Sequence, residues 1–475
     1  MAQRDIETDY LVIGGGAAGL AFADTLVAET DARVAIVDRR GKPGGHWNDA
    51  YPFVTLHQPS AFYGVNSSQL GSGAKDTFGL NKGMQELASG AEVSGYFDRV
   101  MNHRLLPSGR VQYFPLCNYL GEGRFESLLS GDCTQVTVRK KVVDANYCSP
   151  SIPATHKPRF SVEPGVRLVA PNALPGLWHS SGDAQGSTPP RRFVVIGAGK
   201  TAMDTCIWLM QSGAPEQAIT WVVPRDSWVI SRVTTQTGPE FFHEAIGGMA
   251  DLMEACARAT SADDLFLRLE AFGVMMRIHP DRLPEMYHFA TMAPPEAEIL
   301  RRIHDVVRLG HVQSLEADRM VLEHGEVKVD PGTLFIDCTA TALTIRPAQP
   351  IFQPERIVLQ IVRMPQPAFS AAIVAHIESQ HDDEALKNRL CAPVPFPKTL
   401  ADYPLTVMAN TMNQFHWSQD KSLRDWIRAS RLDGFGKLMA SAARDDVDKQ
   451  AVIARLKDQS AAAMLNLPKL VQRGA

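Results

Sequence analysis

The segment Tyr10-Leu11-Val12-Ile13-Gly14-Gly15-Gly16-Ala17-Ala18-Gly19, followed by Leu20 to Leu26 and then by Val34-Ala35-Ile36-Val37-Asp38, decides the fold. Tyr10 to Ile13 is a short apolar run bounded by polar residues, as a buried parallel strand requires. The glycines that follow have separate tasks. Gly14 permits a tight turn, Gly16 lets the backbone approach a pyrophosphate, and Gly19 lets helix and strand pack closely. Leu20 to Leu26 carries a helical pattern whose N-terminus would offer unpaired N–H groups to phosphates. The second strand ends at Asp38, which can accept hydrogen bonds from a ribose diol. Strand, glycine loop, helix, strand and acid thus stand in the order that a dinucleotide-binding unit needs. Ala17 in the loop and Arg39 beside the acid complete the expected contact set.

The pattern recurs. Phe193-Val194-Val195-Ile196 reads as a strand, and Gly197-Ala198-Gly199-Lys200-Thr201-Ala202 opens a helix through Met210. Ala202 in the third glycine position still allows close packing. The next strand, Ile219 to Val223, ends at Pro224-Arg225 rather than at an acid followed by neutral residues. An arginine there accommodates a 2′-phosphate with a planar, charge-assisted fork. Arg225 therefore points to NADPH, with Arg232 as a second candidate, and Asp226 would repel the phosphate if it faced the same way. Gly197, Gly199, Lys200 and Thr201 are the loop contacts.

Beyond the first unit lie Gly44-Gly45-His46-Trp47, Tyr51-Pro52 and Pro59-Ser60 leading to Tyr63. With these segments the sequence resembles the flavin-containing monooxygenases and their Baeyer–Villiger relatives. Thr201, Asp204 and the Arg225-Asp226-Ser227-Trp228 stretch are similar to the same family at the second site. The resemblance implies FAD at the first site, covered by Gly45, His46 and Trp47. It also implies His57 beside the reactive face of the flavin, as the candidate catalytic residue. The activity implied is NADPH-dependent oxygenation of a small molecule with O2 through a flavin C4a-(hydro)peroxide. A dehydrogenase or oxidase using the same cofactors is one alternative, and a degenerate redox-responsive binding partner is another. Leu174 to His179 is similar to the family's interdomain fingerprint, one residue short in spacing.

Two dinucleotide units about 180 residues apart imply one domain inserted in another. Residues 1–179 and 331–475 would form a discontinuous FAD domain, and 180–330 the NADPH domain, with Pro189-Pro190 in a linker. The fold class is therefore α/β with two Rossmann-like domains. A helical, Met-rich insertion is expected at 239–308, either capping the cleft or joining copies of the chain into a homo-oligomer. Its methionines, among them Met275, Met276 and Met292, are expected as core filler. The stretch from Phe396 to Trp417 would either line a substrate pocket or pack.

At 475 residues, with 45% hydrophobic and 21% charged content, the chain can build more than one large core. The net charge of −4 gives no basic footprint for nucleic acid or an anionic membrane. Met1 to Asp9 has no apolar run before a cleavage site, and no segment reads as a membrane span. The seven cysteines are scattered without metal-ligand or redox-pair spacing, so no metal is expected and a reducing cytoplasm suits them.

Overall fold

The computed structural model describes residues 3–148, 150–179, 191–341 and 346–474. Its first sheet is built around the strand Gln3–Ile13, in which Tyr10, Leu11 and Val12 are buried. Val34–Val37 pairs parallel on one side, with Tyr10 opposite Val34 and Ile13 opposite Val37, and Cys133–Asp144 pairs parallel on the other. Val111–Phe114 extends the sheet beyond Val34–Val37, and Arg356–Val358 extends it beyond Cys133–Asp144, both in parallel. All four residues of Val34–Val37 are buried, as a strand covered on both faces must be. The helix Ala17–Glu29 is buried without a break from Gly19 to Val27 because it is sandwiched. It lies against Pro367–Gln380, which is buried without a break from Ala368 to Ile377.

The second sheet is also parallel, in the order Arg167–Val169, Leu334–Asp337, Phe193–Ile196, Ile219–Val222, Val306–Val307. Its members Arg167–Val169 and Leu334–Asp337 lie outside 180–330, so this sheet reaches past both expected boundaries. Leu334–Asp337 pairs on both sides, with Arg167–Val169 and with Phe193–Ile196. The Ser180 boundary and Pro189-Pro190 lie outside the described residues.

The segment expected as a helical insertion holds the helices Phe242–Arg258, Ala262–Ala271 and Pro294–Leu300. It also contributes strands: Met275–Met276 and Met286–Met292 flank Ser227–Ser231 in a three-stranded sheet. Met275 and Met292 are buried in core clusters, with Met276 packed at the edge of one. The long helix Val447–Gly474 lies along Phe242–Arg258. Asn466 Nδ2 donates to the carbonyls of Cys256 and Ala259, and Arg455 pairs with Glu254 at 2.8 Å. The end of the chain thereby docks on the insertion rather than on the first sheet. Within Tyr403–Gln419, Asn413 donates to the carbonyls of Val362 and Ala392, and Trp417 to that of Leu390. These side chains are packed in, as one of the two expectations for this stretch held. Among the described residues no helix is long and apolar enough to cross a membrane.

Candidate cofactor sites and the bridge between them

Gly14 leaves the first strand at φ +109°, and Gly16 is the N-cap of Ala17–Glu29. Among the described residues no side chain caps that first turn, so its N–H groups are left as donors for an anion. A Cβ on Gly19 would stand 2.0 Å from the Gly14 carbonyl oxygen, so only glycine lets the helix turn back against the strand. A Cβ on Gly16 would lie 3.5 Å from Gly45 Cα, and the Gly44 N–H donates to the Gly15 carbonyl at 2.8 Å. The Gly44-Gly45-His46-Trp47 segment is thus folded down onto the glycine loop. Ala17 is half-buried against the core, and Arg39 is exposed.

Asp38 is buried at the strand end, where one oxygen accepts from the Gly15 N–H at 2.5 Å and the other from the Arg40 N–H at 2.7 Å. A carboxylate has about four acceptor positions, so two remain for a ribose diol. Tyr113, on the neighbouring strand Val111–Phe114, buries a hydroxyl that has no partner among the described residues. Its ring and the Asp38 carboxylate both close on Gly15, within 3.4 Å of where a Cβ would stand. A buried phenol without a partner is a group awaiting one. The capless helix N-terminus, the open acceptor positions of Asp38 and the orphaned Tyr113 hydroxyl therefore fit a dinucleotide. Tyr113 escaped the sequence reading, because nothing in Val111 to Phe114 distinguishes a liganding tyrosine from a strand aromatic.

His46 stacks on Trp47, with centroids 5.3 Å apart, and burial together with Arg40 lowers its pKa to about 4. Trp47 Nε1 donates to the Tyr63 hydroxyl at 2.8 Å. His57 is half-buried in the loop that follows. Burial, reinforced by the Lys200 ammonium, pulls its pKa down to about 4. The imidazole is therefore neutral throughout the physiological range.

At the second loop Gly197 has φ +128°, and a Cβ there would meet the Cys338 carbonyl at 2.8 Å. Gly199 is the N-cap of Lys200–Gln211, again with no capping side chain and with open space before it. This second helix N-terminus is the counterpart of the first and likewise suits a dinucleotide pyrophosphate. Thr201 is half-buried in the first turn, and its carbonyl accepts from Thr205 Oγ1 at 2.8 Å. Lys200 does not extend toward solvent. Its side chain is 8% exposed, and its ammonium is bonded to Asp204 and stands 3.2 Å from Glu296 Oε1. Arg232 is equally far from a phosphate-binding role. It is 2% exposed, pairs with Glu296 Oε2 at 2.7 Å, and donates through Nε to the His57 carbonyl at 2.9 Å.

These groups form one buried bridge between the first unit and the second. The Tyr51 hydroxyl donates to Asp204 Oδ2 at 2.8 Å, Phe53 stacks on Trp208 at 4.9 Å, and Arg232 NH1 reaches Asn81 Oδ1 at 3.2 Å. Burial alone would raise the Glu296 carboxyl, but Lys200 and Arg232 together pull its pKa down to about 2. The bridge fixes the loop carrying Tyr51 and His57 against the N-terminus of the second dinucleotide helix. Glu296 was not foreseen, since it stands 64 residues beyond Arg232 in an unremarkable Pro-Pro-Glu helix start.

Arg225 is exposed just past the end of Ile219–Val222. Asp226, the acid that could oppose a phosphate there, is held by Arg308 through bonds of 2.7 and 3.0 Å. Within Leu174–His179 the described Leu174 is buried in the second core. Among the described residues no cluster of His, Cys, Asp and Glu could hold a metal ion.

Both halves of the α/β architecture are thus Rossmann-like, and the first is matched over residues 12–66 by the model of the NAD(P)-binding Rossmann-like domain family. The chain belongs to the same family as the uncharacterized protein Rv2000 of Mycobacterium tuberculosis. The two are 45% identical over 468 residues, which cover 98% of this chain and 85% of that protein. Solved structures with a similar outline include a polycyclic ketone monooxygenase from Thermothelomyces thermophila. It is 11% identical, with 98% of this chain and 89% of that one covered and a TM-score of 0.49. A bacillithiol disulfide reductase from Bacillus cereus is also 11% identical, with 79% and 100% covered and a TM-score of 0.46.

Proposed function

We propose that the chain is an oxidoreductase that binds FAD at the first glycine loop and NADPH at the second, and that it oxygenates a small molecule. The observation that carries this reading is the buried bridge. It seats the loop of Tyr51 and His57 on the start of the second dinucleotide helix, so the reactive ends of two bound dinucleotides would meet there. When bound, FAD supplies hydride acceptance from NADPH and electron delivery to oxygen.

The remaining work belongs to the chain. The N-terminus of Ala17–Glu29 binds the pyrophosphate of the first dinucleotide, while Asp38 and Tyr113 hold its ribose. Arg225 receives the 2′-phosphate of the second, with the charge of Asp226 cancelled by Arg308. The loop from Gly44 to Trp47 excludes water from the first site. His57, neutral at physiological pH, acts there as a hydrogen-bond donor or acceptor at its ring nitrogens and not as a cation.

The discriminating experiment is turnover under labelled oxygen with a panel of amines, thioethers and ketones, NADPH being supplied. Label in the product supports oxygenation. NADPH consumption that yields only hydrogen peroxide or reduced acceptor makes the protein an oxidase or dehydrogenase.

A further inference from the structure

Beyond the end of Ile219–Val222 lies a small cavity. It is lined by Ala198 of the second glycine loop, Val223 at the strand end, Asp226, Ser227, His279 and Arg282. In a strand–loop–helix dinucleotide unit the adenosine ribose sits between the glycine loop and the end of the second strand. Ala198 and Val223 mark those two places, so the cavity is where the 2′-substituent of a coenzyme would lie.

An acid at this point ordinarily accepts from a free 2′-hydroxyl and repels a 2′-phosphate. Asp226 stands there, yet its charge is not bare. Arg308, immediately after the adjoining strand Val306–Val307, donates Nε to Oδ2 at 2.7 Å and NH2 to Oδ1 at 3.0 Å. This planar fork is the strong form of the pair, and it is mostly shielded, with side chains 24% and 15% exposed. The Asp226 backbone is fixed as well, since its carbonyl accepts from the Glu285 and Met286 N–H groups. Once the pair cancels, Arg225, exposed one residue before Asp226, is left as the unopposed cation at the strand end, while Arg282 on the cavity wall is paired with Asp281 at 3.6 Å.

A second observation points to a polar occupant. His279 Nε2 is buried and has no partner among the described residues. Its ring stands 6.1 Å from Trp221, which is itself anchored through Nε1 to the Gly197 carbonyl at 2.8 Å. The imidazole is thereby held on the cavity wall beside the glycine loop.

We infer that the Arg308–Asp226 pair is the coenzyme selector of the second site, admitting a 2′-phosphate by cancelling the acid that would otherwise favour a 2′-hydroxyl. His279 adds a polar contact from the inserted segment. The inference rests on reading the second loop as a nicotinamide coenzyme site.

Binding of NADP+ and NAD+ to the purified full chain, measured by titration calorimetry without turnover, tests it. Wild-type protein should favour NADP+. Arg308→Ala bares Asp226 and should lower the NADP+ to NAD+ affinity ratio about tenfold or more, partly by improving NAD+. Asp226→Asn alone should keep the wild-type preference, and adding it to Arg308→Ala should restore much of the lost NADP+ affinity. An unchanged ratio in Arg308→Ala, or no recovery in the double variant, overturns the inference. Should Arg308→Ala fail to fold, Asp226→Asn decides alone, and a swing toward NAD+ in that variant overturns the selector role. Wild-type protein that binds neither coenzyme overturns the underlying reading of the site instead.

Discussion

Replacing Glu296 by glutamine would remove the carboxylate that joins Lys200 to Arg232 while leaving the shape of the bridge nearly intact. Both cations are almost wholly buried, and Arg232 has no other carboxylate among its described partners, only Asn81 and the His57 carbonyl. Burial opposes ionisation of Glu296, yet the two cations bring its pKa from 4.5 down to about 2. That difference corresponds to about 3 kcal/mol favouring the charged form in the folded protein. Breaking a buried pair by removing one partner costs about 3–5 kcal/mol, which agrees in size. Because the folded pKa is depressed, the stabilisation is complete above about pH 5 and is lost as pH falls toward 2. Urea denaturation at neutral pH, followed by tryptophan fluorescence, should place the Glu296→Gln midpoint well below wild type. The gap should close as both proteins are titrated into acid. Equal midpoints at neutral pH would refute the bridge as a source of stability, and a gap undiminished below about pH 2 would assign it to packing rather than charge.

Three further outcomes are expected. Gly16→Val puts a branched side chain between the glycine loop and Gly45, in the path of the pyrophosphate, so soluble variant protein should lack flavin absorbance; full FAD content would contradict the placement. Arg225→Ala should raise the Michaelis constant for NADPH about ten- to a hundredfold, the loss of one charge-assisted contact, and leave NADH nearly unchanged. Because the pKa of His57 is held near 4, its protonation is complete only below that value, and the imidazole does not titrate between pH 6 and 8. His57→Ala should therefore leave the pH profile of flavin reduction unchanged in that range while lowering product formed per NADPH consumed.

Both glycine loops were legible because each packs its function into one local unit. The spacing from Gly14 to Asp38 and from Gly197 to Arg225 names strand, turn, helix and strand end without reference to the rest of the chain. What the spacing could not convey is which distant residue neutralises a given charge. Lys200 reads as a loop contact and Arg232 as a second phosphate candidate until Glu296 is placed between them, and Asp226 reads as an obstacle to a phosphate until Arg308 is placed upon it. An unperturbed histidine would titrate near neutrality, and His57 departs from that because burial and the Lys200 and Arg232 cations beside it disfavour its charged form. The strand Met286–Met292 gives no clean alternation to read, because its register against Ser227–Ser231 shifts about Phe289, which has φ +57°. The second sheet passed its expected limits because Arg167–Val169 is too short to announce itself and pairs with a strand more than 160 residues later.

The measurement that bears most directly on the account is anaerobic addition of NADPH to the purified, FAD-loaded protein with the flavin absorbance followed in time. Two dinucleotides meeting at the bridge predict full bleaching of the oxidised flavin, faster with NADPH than with NADH. Protein that neither retains nor takes up FAD, or a bound flavin that stays oxidised under excess NADPH, would contradict it.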